Sequence, residues 1–257
     1  MLIDVNAYLG HWPFRQLRHN TARELVRLMD RKGIDQALVS SISGVLYKNP
    51  QTANEALAKD VRPYRDRLIP LAVINPAYAD WPHDLQVWAE DLGCRGVRLY
   101  PAWHNYRLGD ACCNELVKAA TERGLLVSIP MRAVDSRQRH WLVEVPDLAA
   151  SDLAALVARH PQARFILAEG IGFTGSPLGQ AEGGLPGNYL LEISRLSALL
   201  TSEIRRLLDA VGRQRLAFGT GMCLKYPDPA LLKLEVLQAT RAEKESLRWR
   251  NAARWLS

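Results

Sequence analysis

The sequence predicts an α/β fold, a single (β/α)₈ barrel of the TIM type, on three observations. The chain has 257 residues, of which 48% are hydrophobic and 23% are charged, and this is enough to bury one large core. Eight short apolar segments alternate along it with longer amphipathic segments. Barrels of eight strand and helix pairs commonly need roughly 250 residues, which matches this length.

The eight short segments have the composition of buried β-strands, because they are aliphatic or β-branched and end in a turn residue or a polar group. In chain order they are Leu2–Asn6, Gln36–Ser41, Leu68–Asn75, Arg95–Tyr100, Leu125–Met131, Ala163–Glu169, Tyr189–Ser194 and Arg215–Gly221. Since helices separate them, we expect right-handed parallel crossovers. Eight such units fit a closed barrel better than an open sheet.

Signals for helix starts and ends lie between these strands. Thr21–Glu24 has the capping-box pattern, and Gly33 stands where a left-handed residue ends the helix. Further helices are predicted over Asp110–Gly124 and Ser202–Val211. Asp228–Pro229 is typical of an N-cap followed by a proline in the first turn. Strands and helices therefore alternate throughout the chain.

Nothing in the sequence indicates a second domain. The residues after the first strand, Gly10–Pro13, do not form the G-x-G-x-x-G fingerprint of a dinucleotide-binding domain. No linker or shift in composition interrupts the chain, so residues 1–257 are predicted to form one domain. Residues 170–187 are exceptional, with seven glycines and two prolines. We interpret this loop after strand 6 either as a lid or substrate wall or as a tolerated insertion.

Composition argues against several functional classes. The net charge of +6 comes from 26 arginines and 7 lysines that are interleaved with acids, without a basic run or a nucleic-acid-binding motif. No apolar run approaches the ~18 residues of a membrane span. The four cysteines lack C-x-x-C spacing, so reduced thiols are expected. No basic stretch followed by an apolar region follows Met1, so we expect a cytoplasmic protein that binds neither nucleic acid nor membrane.

Six segments resemble, in order, segments of the amidohydrolase-related family, whose members are metal-dependent hydrolases and decarboxylases built on a distorted (β/α)₈ barrel. The segments are Ile3–Gly10, Arg95–Pro101, Ala163–Glu169, Asn188–Ser194, Arg215–Thr220 and the terminal stretch Glu243–Leu256. The resemblance covers nearly the whole chain. It implies a distorted barrel that ends in a C-terminal helix.

The family's metal ligands are absent from the matching positions. The resemblance implies two histidines on strand 1, one each on strands 5 and 6, and an aspartate after strand 8. Those positions here hold Asn6, Tyr8, Pro130 or a neighbour, Glu169 and Gly221. Arg98 stands where some relatives carry a carbamylated lysine. Zinc or another divalent metal is the family norm, but amide, phenol, glycine and proline are poor donors, so we expect no metal and no other cofactor.

Polar residues remain at the carboxyl ends of the predicted strands, where parallel barrels place their sites. The candidate site residues are Asn6, Tyr8, His11, Asn75, Arg98, Tyr100, His104, Arg132, Glu169 and Glu192. Arg98 and Arg132 offer planar forks that can bind an anion. Glu169 is the expected proton-transfer group, assisted by His104 and Tyr8.

Structural alternatives accompany these roles. Arg98 can instead form a buried ion pair with Glu169 or Glu192, which would balance the charge that the metal no longer supplies. His11 can instead fold over the barrel end together with Trp12 and Phe14.

Two functions follow from this pattern. The first is an enzyme that hydrolyses a small anionic substrate, or cleaves a carbon group from it, without the family's metal centre. The second is a catalytically inactive barrel that binds a small ligand or a partner protein. Fold resemblance cannot decide between them, because function depends on the site. The sequence leaves the substrate and the oligomeric state open, and a homo-oligomer is one of the states it allows.

Overall fold

The computed structural model describes residues 1–138, 140–141, 143–181 and 184–256, and they form a (β/α)₈ barrel, which confirms the predicted fold class. The strands lie side by side in the order of the chain, and every neighbouring pair is parallel. They are β1 (Ile3–Leu9), β2 (Gln36–Ser41), β3 (Leu68–Val73), β4 (Gly96–Arg98), β5 (Leu126–Pro130), β6 (Arg164–Ala168), β7 (Tyr189–Glu192) and β8 (Leu216–Ala217).

Hydrogen bonds between β1 and the segment after β8 close the barrel. The Val5 amide donates to the Phe218 carbonyl at 2.9 Å, and the Gly221 amide donates to the Asn6 carbonyl at 2.7 Å. Only Leu216–Ala217 pairs regularly with β7, so the eighth strand is shorter than predicted. The physical reason is that the chain turns from β7 toward β1 at this point: the Phe218 carbonyl and the Gly221 amide bond to β1, and the Phe218 amide donates to the Leu247 carbonyl at 2.9 Å.

Nine helices of the described chain surround the barrel. They are α1 (Ala22–Lys32), α2 (Gln51–Val61), α3 (Trp81–Gln86), α4 (Ala111–Glu122), α5 (Ala150–Arg159), α6 (Glu203–Val211), α7 (Asp228–Val236), α8 (Arg241–Glu245) and α9 (Asn251–Leu256). A π-helical turn over Ser246–Arg250 joins α8 to α9. Within the described ranges, no helix is both long enough and apolar enough to cross a membrane.

The predicted helix ends are correct at α1 and displaced at α7. The Thr21 side chain accepts from the Glu24 amide, and Gly33 has φ of 64° in the left-handed region. At α7, Asp228 is the first helical residue rather than the N-cap. Its carboxylate accepts from Lys32 Nζ at 2.5 Å, so it connects α7 to α1 instead of capping its own helix.

Apolar residues fill the amino-terminal end of the barrel. The members of this cluster are Ile3, Val5, Leu38, Leu71, Leu126, Ile166, Leu190 and Ala217 from the strands, with Ala252 and Trp255 from α9. A larger apolar layer lies between the helices and the barrel wall. Because α9 closes this end, buried polar side chains concentrate at the opposite, carboxyl end of the strands.

The described part of the glycine-rich loop packs beside the barrel. Two short helical turns, Phe173–Gly175 and Pro177–Gly179, contact α5 and α6. The Tyr189 hydroxyl of β7 donates to the Leu178 carbonyl at 2.8 Å. A Cβ at Gly170 would lie 1.9 Å from the Phe173 ring, so the close approach of this ring requires glycine. The described residues of this loop are therefore part of the barrel's outer wall.

An ion pair holds α8 against α6. Arg205 Nη2 lies 2.8 Å from Glu243 Oε1, and Glu243 Oε2 accepts from the Thr240 amide at 2.7 Å in a complete capping box. The Arg205 hydrogen bond, with help from the Thr240 amide, lowers the pKa of Glu243 from 4.5 to about 2.

Glu243→Gln is expected to lower the free energy of unfolding by about 1–2 kcal/mol at neutral pH, because it weakens both the cap and the ion pair. A depressed pKa stabilises the fold above the unfolded value of 4.5 and ceases to do so as the pH falls toward 2. The difference between variant and wild type should therefore shrink over that interval. Urea unfolding between pH 3 and 7 measures it, with exposed Glu235→Gln on α7 as control. A loss that does not change with pH would contradict the assigned role of the charge.

Candidate functional site

Three buried carboxylates meet at the carboxyl end of the barrel. Asp4 lies on β1, Glu169 directly follows β6, and Glu192 ends β7; each is at most 2% exposed. Asn6 on β1 and Lys225 in the loop after β8 complete this group, which we call the carboxylate cluster. Burial disfavours an ionised carboxylate, so each needs donors or a cation nearby.

Glu169 is the centre of the cluster. Its Oε1 accepts from Asn6 Nδ2 at 2.8 Å, and its Oε2 forms an ion pair with Lys225 Nζ. Its own amide donates to Glu192 Oε2 at 3.0 Å. The residue adopts φ of 56°, a conformation that is uncommon outside glycine. This backbone turn places the carboxylate between β1 and the loop after β8.

Glu192 is held by donors from its own strand end. Ser194 donates to it twice, from the hydroxyl to Oε2 at 2.9 Å and from the amide to Oε1. Burial, followed by the charge of Glu169, raises the pKa of Glu192. The two glutamates thus differ, since only Glu169 has a direct cationic partner among the described residues.

Asp4 connects β1 to the turn after β8. Its Oδ2 accepts from the Thr220 hydroxyl at 2.5 Å, and its Oδ1 accepts from the amides of Thr220 and Asn6 at 3.1 and 2.8 Å. Burial is the main cause that raises the pKa of Asp4 to about 7. These bonds fix the backbone that leads to Gly221.

Gly221 makes room for the ion pair of Glu169 and Lys225. It has φ of 79°, and a Cβ added there would lie 2.8 Å from Glu169 Oε1 and 3.0 Å from Lys225 Cδ. The Lys225 amide also donates to the Gly221 carbonyl at 2.9 Å. Our sequence reasoning missed Lys225. The signal that was available is a lysine four positions after a glycine that stands where the related proteins place an aspartate.

Arg98 has a different environment from the one predicted. Its side chain is fully buried and donates to the carbonyls of Val5 and Ala7 at 3.3 and 3.2 Å. It also donates to the hydroxyls of Ser40 and Ser128 at 3.1 and 3.2 Å. The guanidinium thus connects β4 with β1, β2 and β5.

The alternative in which Arg98 pairs with Glu169 or Glu192 is wrong, because Arg98 forms no ion pair within the described ranges and Lys225 takes that position instead. The physical reason lies in β1, whose register against β2 shifts between Asp4 and Ala7. A guanidinium can supply the donors that carbonyls at such an irregularity require.

Apolar and aromatic side chains from β1 to β4 and from the segments after β5 and β8 pack together over part of the mouth. The members of this aromatic cover are Tyr8, Trp12, Ile42, Val45, Val73, Tyr100, Ala133, Cys223 and Leu224. Trp12 lies with its ring centroid 5.4 Å from Phe14 and 5.8 Å from Trp103. His11 itself is exposed beside the buried Trp12, so this segment folds over the barrel end. Burial raises the pKa of both Tyr8 and Tyr100.

The three remaining candidates contact groups outside the carboxylate cluster. His104 Nε2 lies 3.0 Å from the Gly44 carbonyl, and burial lowers the pKa of this histidine. Asn75 Nδ2 donates to the Lys48 carbonyl at 2.8 Å. Arg132 Nη2 lies 2.8 Å from the carboxylate of Asp147. The structure therefore brings together Asn6, Glu169 and Glu192 of the predicted set, with Tyr8 directly under Arg98.

An open cleft of about 540 Å³ lies beside the carboxylate cluster. Residues that follow β1, β5, β7 and β8 line it. Its ionised side chains are Arg15, Arg18, Arg137, Arg195 and Lys225, with Asp135 and Asp228 as the carboxylates. Arg137 and Arg195 both bind Asp135, at 3.0 and 2.7 Å, and hold the pKa of Asp135 well below its usual range. The wall thus carries five cations against two anions, so the cleft is positive.

The donor set at the mouth does not fit a divalent metal. Among the described residues, no three His, Cys, Asp or Glu side chains are arranged to hold a metal ion. At the positions that match the family's ligands, only Glu169 supplies a carboxylate, and its two oxygens already bind Asn6 and Lys225. Zinc and manganese sites require several such donors that converge on one point.

A model of the amidohydrolase family matches residues 10–257, which is almost the whole chain. The chain belongs to the amidohydrolase family. No curated protein matches it.

Solved structures share the fold at low sequence identity. The 5-carboxyvanillate decarboxylase of Sphingomonas paucimobilis is 17% identical, with a TM-score of 0.76 over 99% of this chain and 98% of the other. A dihydroxybenzoic acid decarboxylase from Polaromonas sp. JS666, solved with manganese and 2-nitroresorcinol, is 16% identical, with a TM-score of 0.74 over 99% of this chain and 96% of the other. A putative amidohydrolase from Staphylococcus aureus has the same TM-score, 16% identity and 99% coverage of both chains.

Arg98→Met is expected to lower the free energy of unfolding by roughly 2–4 kcal/mol, because two barrel carbonyls and two hydroxyls lose a buried donor. Arg132→Met is the matched control, since its partner Asp147 is 40% exposed and recovers water. Urea unfolding measures both variants. If Arg98→Met is as stable as the wild type but no longer binds small anions, Arg98 is the anion anchor that the sequence suggested and not a support of the barrel.

Proposed function

We propose that this chain binds a small organic anion in the positive cleft and acts on it without a metal, by hydrolysis or by cleavage of a carbon group. One observation carries the proposal: Lys225 lines the cleft and also forms the ion pair with the buried Glu169. A residue that contacts both solvent and a buried carboxylate can bind a substrate charge and move a proton.

The cleft has the charge that an anionic substrate requires. Arg195 is 15% exposed, and its Nε has no hydrogen-bond partner among the described residues. With Lys225 it offers two cations on one wall, near the Ser194 and Thr220 side chains. A carboxylate binds more strongly to the charged guanidinium of arginine than to a neutral hydrogen-bond donor.

Lys225 can act as the proton donor in either reaction. In decarboxylation, the bond to the leaving CO₂ breaks, its electron pair stays on the substrate carbon, and the ammonium protonates that carbon. In hydrolysis, water attacks, the bond to the leaving group breaks, the same ammonium proton goes to the leaving group, and the proton that the attacking water loses passes to solvent in the cleft. Glu169 holds the ammonium in place, and solvent in the cleft returns the proton to the amine.

The names of the structural neighbours support an aromatic acid as the substrate class, because two of them are decarboxylases of hydroxylated benzoic acids. One of those neighbours was solved with manganese, whereas the donor set at this mouth lacks the ligands for such an ion. We therefore propose the carbon-group chemistry with Lys225 in place of a metal-bound group, and no resident cofactor.

A second candidate is a barrel that binds the same anions without turnover. It is favoured by Gly221, which stands where the resemblance to the family places the proton-accepting aspartate. Here the cleft would serve recognition only, and the aromatic cover would exclude substrate from the rest of the mouth.

Arg195→Gln is expected to weaken binding of hydroxybenzoates at least about tenfold, the size of one charge-assisted hydrogen bond. Exposed Arg123→Gln on the surface after α4 should leave affinity unchanged. Isothermal titration of chelator-treated protein with 2,6-dihydroxybenzoate and phthalate measures this. Equal affinity for both variants, or no binding by the wild type, would contradict the proposed cleft.

Turnover separates the two candidates. The chelator-treated wild type should release product from a bound carboxylate, measured as CO₂ or as the hydrolysed acid by mass spectrometry. Lys225→Arg should retain binding and lose most of the rate, since guanidinium is a far weaker acid than ammonium. Tight binding without product from any bound ligand would establish the non-catalytic alternative instead.

A further inference from the structure

We propose that Lys225 is a built-in replacement for the divalent cation of the amidohydrolase family. Its ammonium lies on Glu169, the one family-type ligand position that retains a carboxylate, and it prevents a metal from binding there. Lys225 thus balances the charge of Glu169 and excludes a metal ion from its carboxylate. This role does not depend on the proposed reaction.

Glu169 is deeply buried. Its side chain is 3% exposed, and its partner Lys225 is 26% exposed. An ionised carboxylate this deep is unstable without a counter-charge, and in the described residues Lys225 is the cation that contacts it. Arg98 and Arg132, two buried cations at the mouth, are bound elsewhere, to barrel carbonyls and to Asp147 respectively.

Gly221 leaves space beside the ion pair of Glu169 and Lys225. A Cβ at this position would lie 3.0 and 3.4 Å from Lys225 Cδ and Cε, and 2.8 Å from Glu169 Oε1. An aspartate here would therefore require the lysine stem and the Glu169 carboxylate to shift from these positions. The loss of a side chain at position 221 and the entry of the Lys225 side chain are thus geometrically coupled.

A second lysine lies next to the carboxylate cluster. Lys233 of α7 donates from Nζ to the Ser194 carbonyl, two residues after Glu192. Its side chain is half-buried; burial lowers the pKa of Lys233, and the charge of Glu192 raises it. Among the described residues, Lys225 forms the ion pair with a glutamate of the cluster, and Lys233 adds a second amine beside the end of β7.

Metal exclusion follows from the same contacts. Both oxygens of Glu169 are occupied, one by Asn6 Nδ2 and one by Lys225 Nζ. A divalent ion at this carboxylate would have to displace the ammonium or lie beside it, where like charges repel.

The direct test uses the purified full chain and Mn²⁺ or Zn²⁺. After incubation with excess metal and desalting, mass spectrometry should find far less than one ion per chain, and neither ion should raise the Tm. One tightly held ion per chain that Glu169→Gln removes would overturn the proposal.

Chemical rescue tests the cation position itself. Lys225→Ala should lower the Tm by on the order of 10 °C, because Glu169 keeps its burial and loses its counter-charge. Propylammonium chloride should restore part of this loss in a saturable way. Equal concentrations of sodium chloride or n-propanol should not, since they lack either the organic stem or the charge.

Two further variants keep the test decisive if Lys225→Ala does not fold. Glu169→Gln/Lys225→Ala removes both charges and should be more stable than Lys225→Ala and insensitive to propylammonium. Lys225→Arg keeps the charge and should remain folded. A Lys225→Ala protein as stable as the wild type, or one that propylammonium stabilises no more than the double variant, would overturn the proposal.

Discussion

The ionised carboxylate of Glu169, buried at the carboxyl end of the barrel, is the constraint on which the rest of this end depends. A carboxylate so far from water requires compensation, and the chain supplies it with Asn6 on one oxygen and Lys225 on the other. Position 221 has no side chain, and a Cβ there would lie 2.8 Å from Glu169 Oε1 and 3.0 Å from Lys225 Cδ. Asp4 then fixes the turn before it through Thr220.

The mouth is divided into two parts as a result. On one side, the aromatic cover buries Tyr8 and Tyr100. Beside β7 and β8, the loops leave the positive cleft, and Lys225 is the residue that belongs to both the cleft and the carboxylate cluster. The proposed chemistry on a bound anion belongs to the side of the cleft, and Arg98 connects strands β1, β2, β4 and β5 from within.

The fold could be predicted from sequence because each strand is a short apolar run between helix signals, and this pattern depends on local residues alone. Glu169 and Glu192 could be placed together because parallel strands end at the same edge. The partners of Arg98 could not be predicted, since two of them are carbonyls at an irregularity of β1 that no side-chain pattern marks. The position of Lys225 could not be predicted either, since it lies beyond the last strand and the direction of its side chain depends on the turn that Asp4 and Thr220 fix.

The central claim is that an ammonium group, and not a metal, neutralises Glu169. A crystal structure of the protein grown with excess Mn²⁺, with anomalous diffraction data collected near the manganese edge, tests it most directly. We expect Lys225 Nζ to lie on the Glu169 carboxylate, and we expect no anomalous peak at the carboxylate cluster. A manganese peak bound to Glu169, with Lys225 turned into the cleft, would contradict the account.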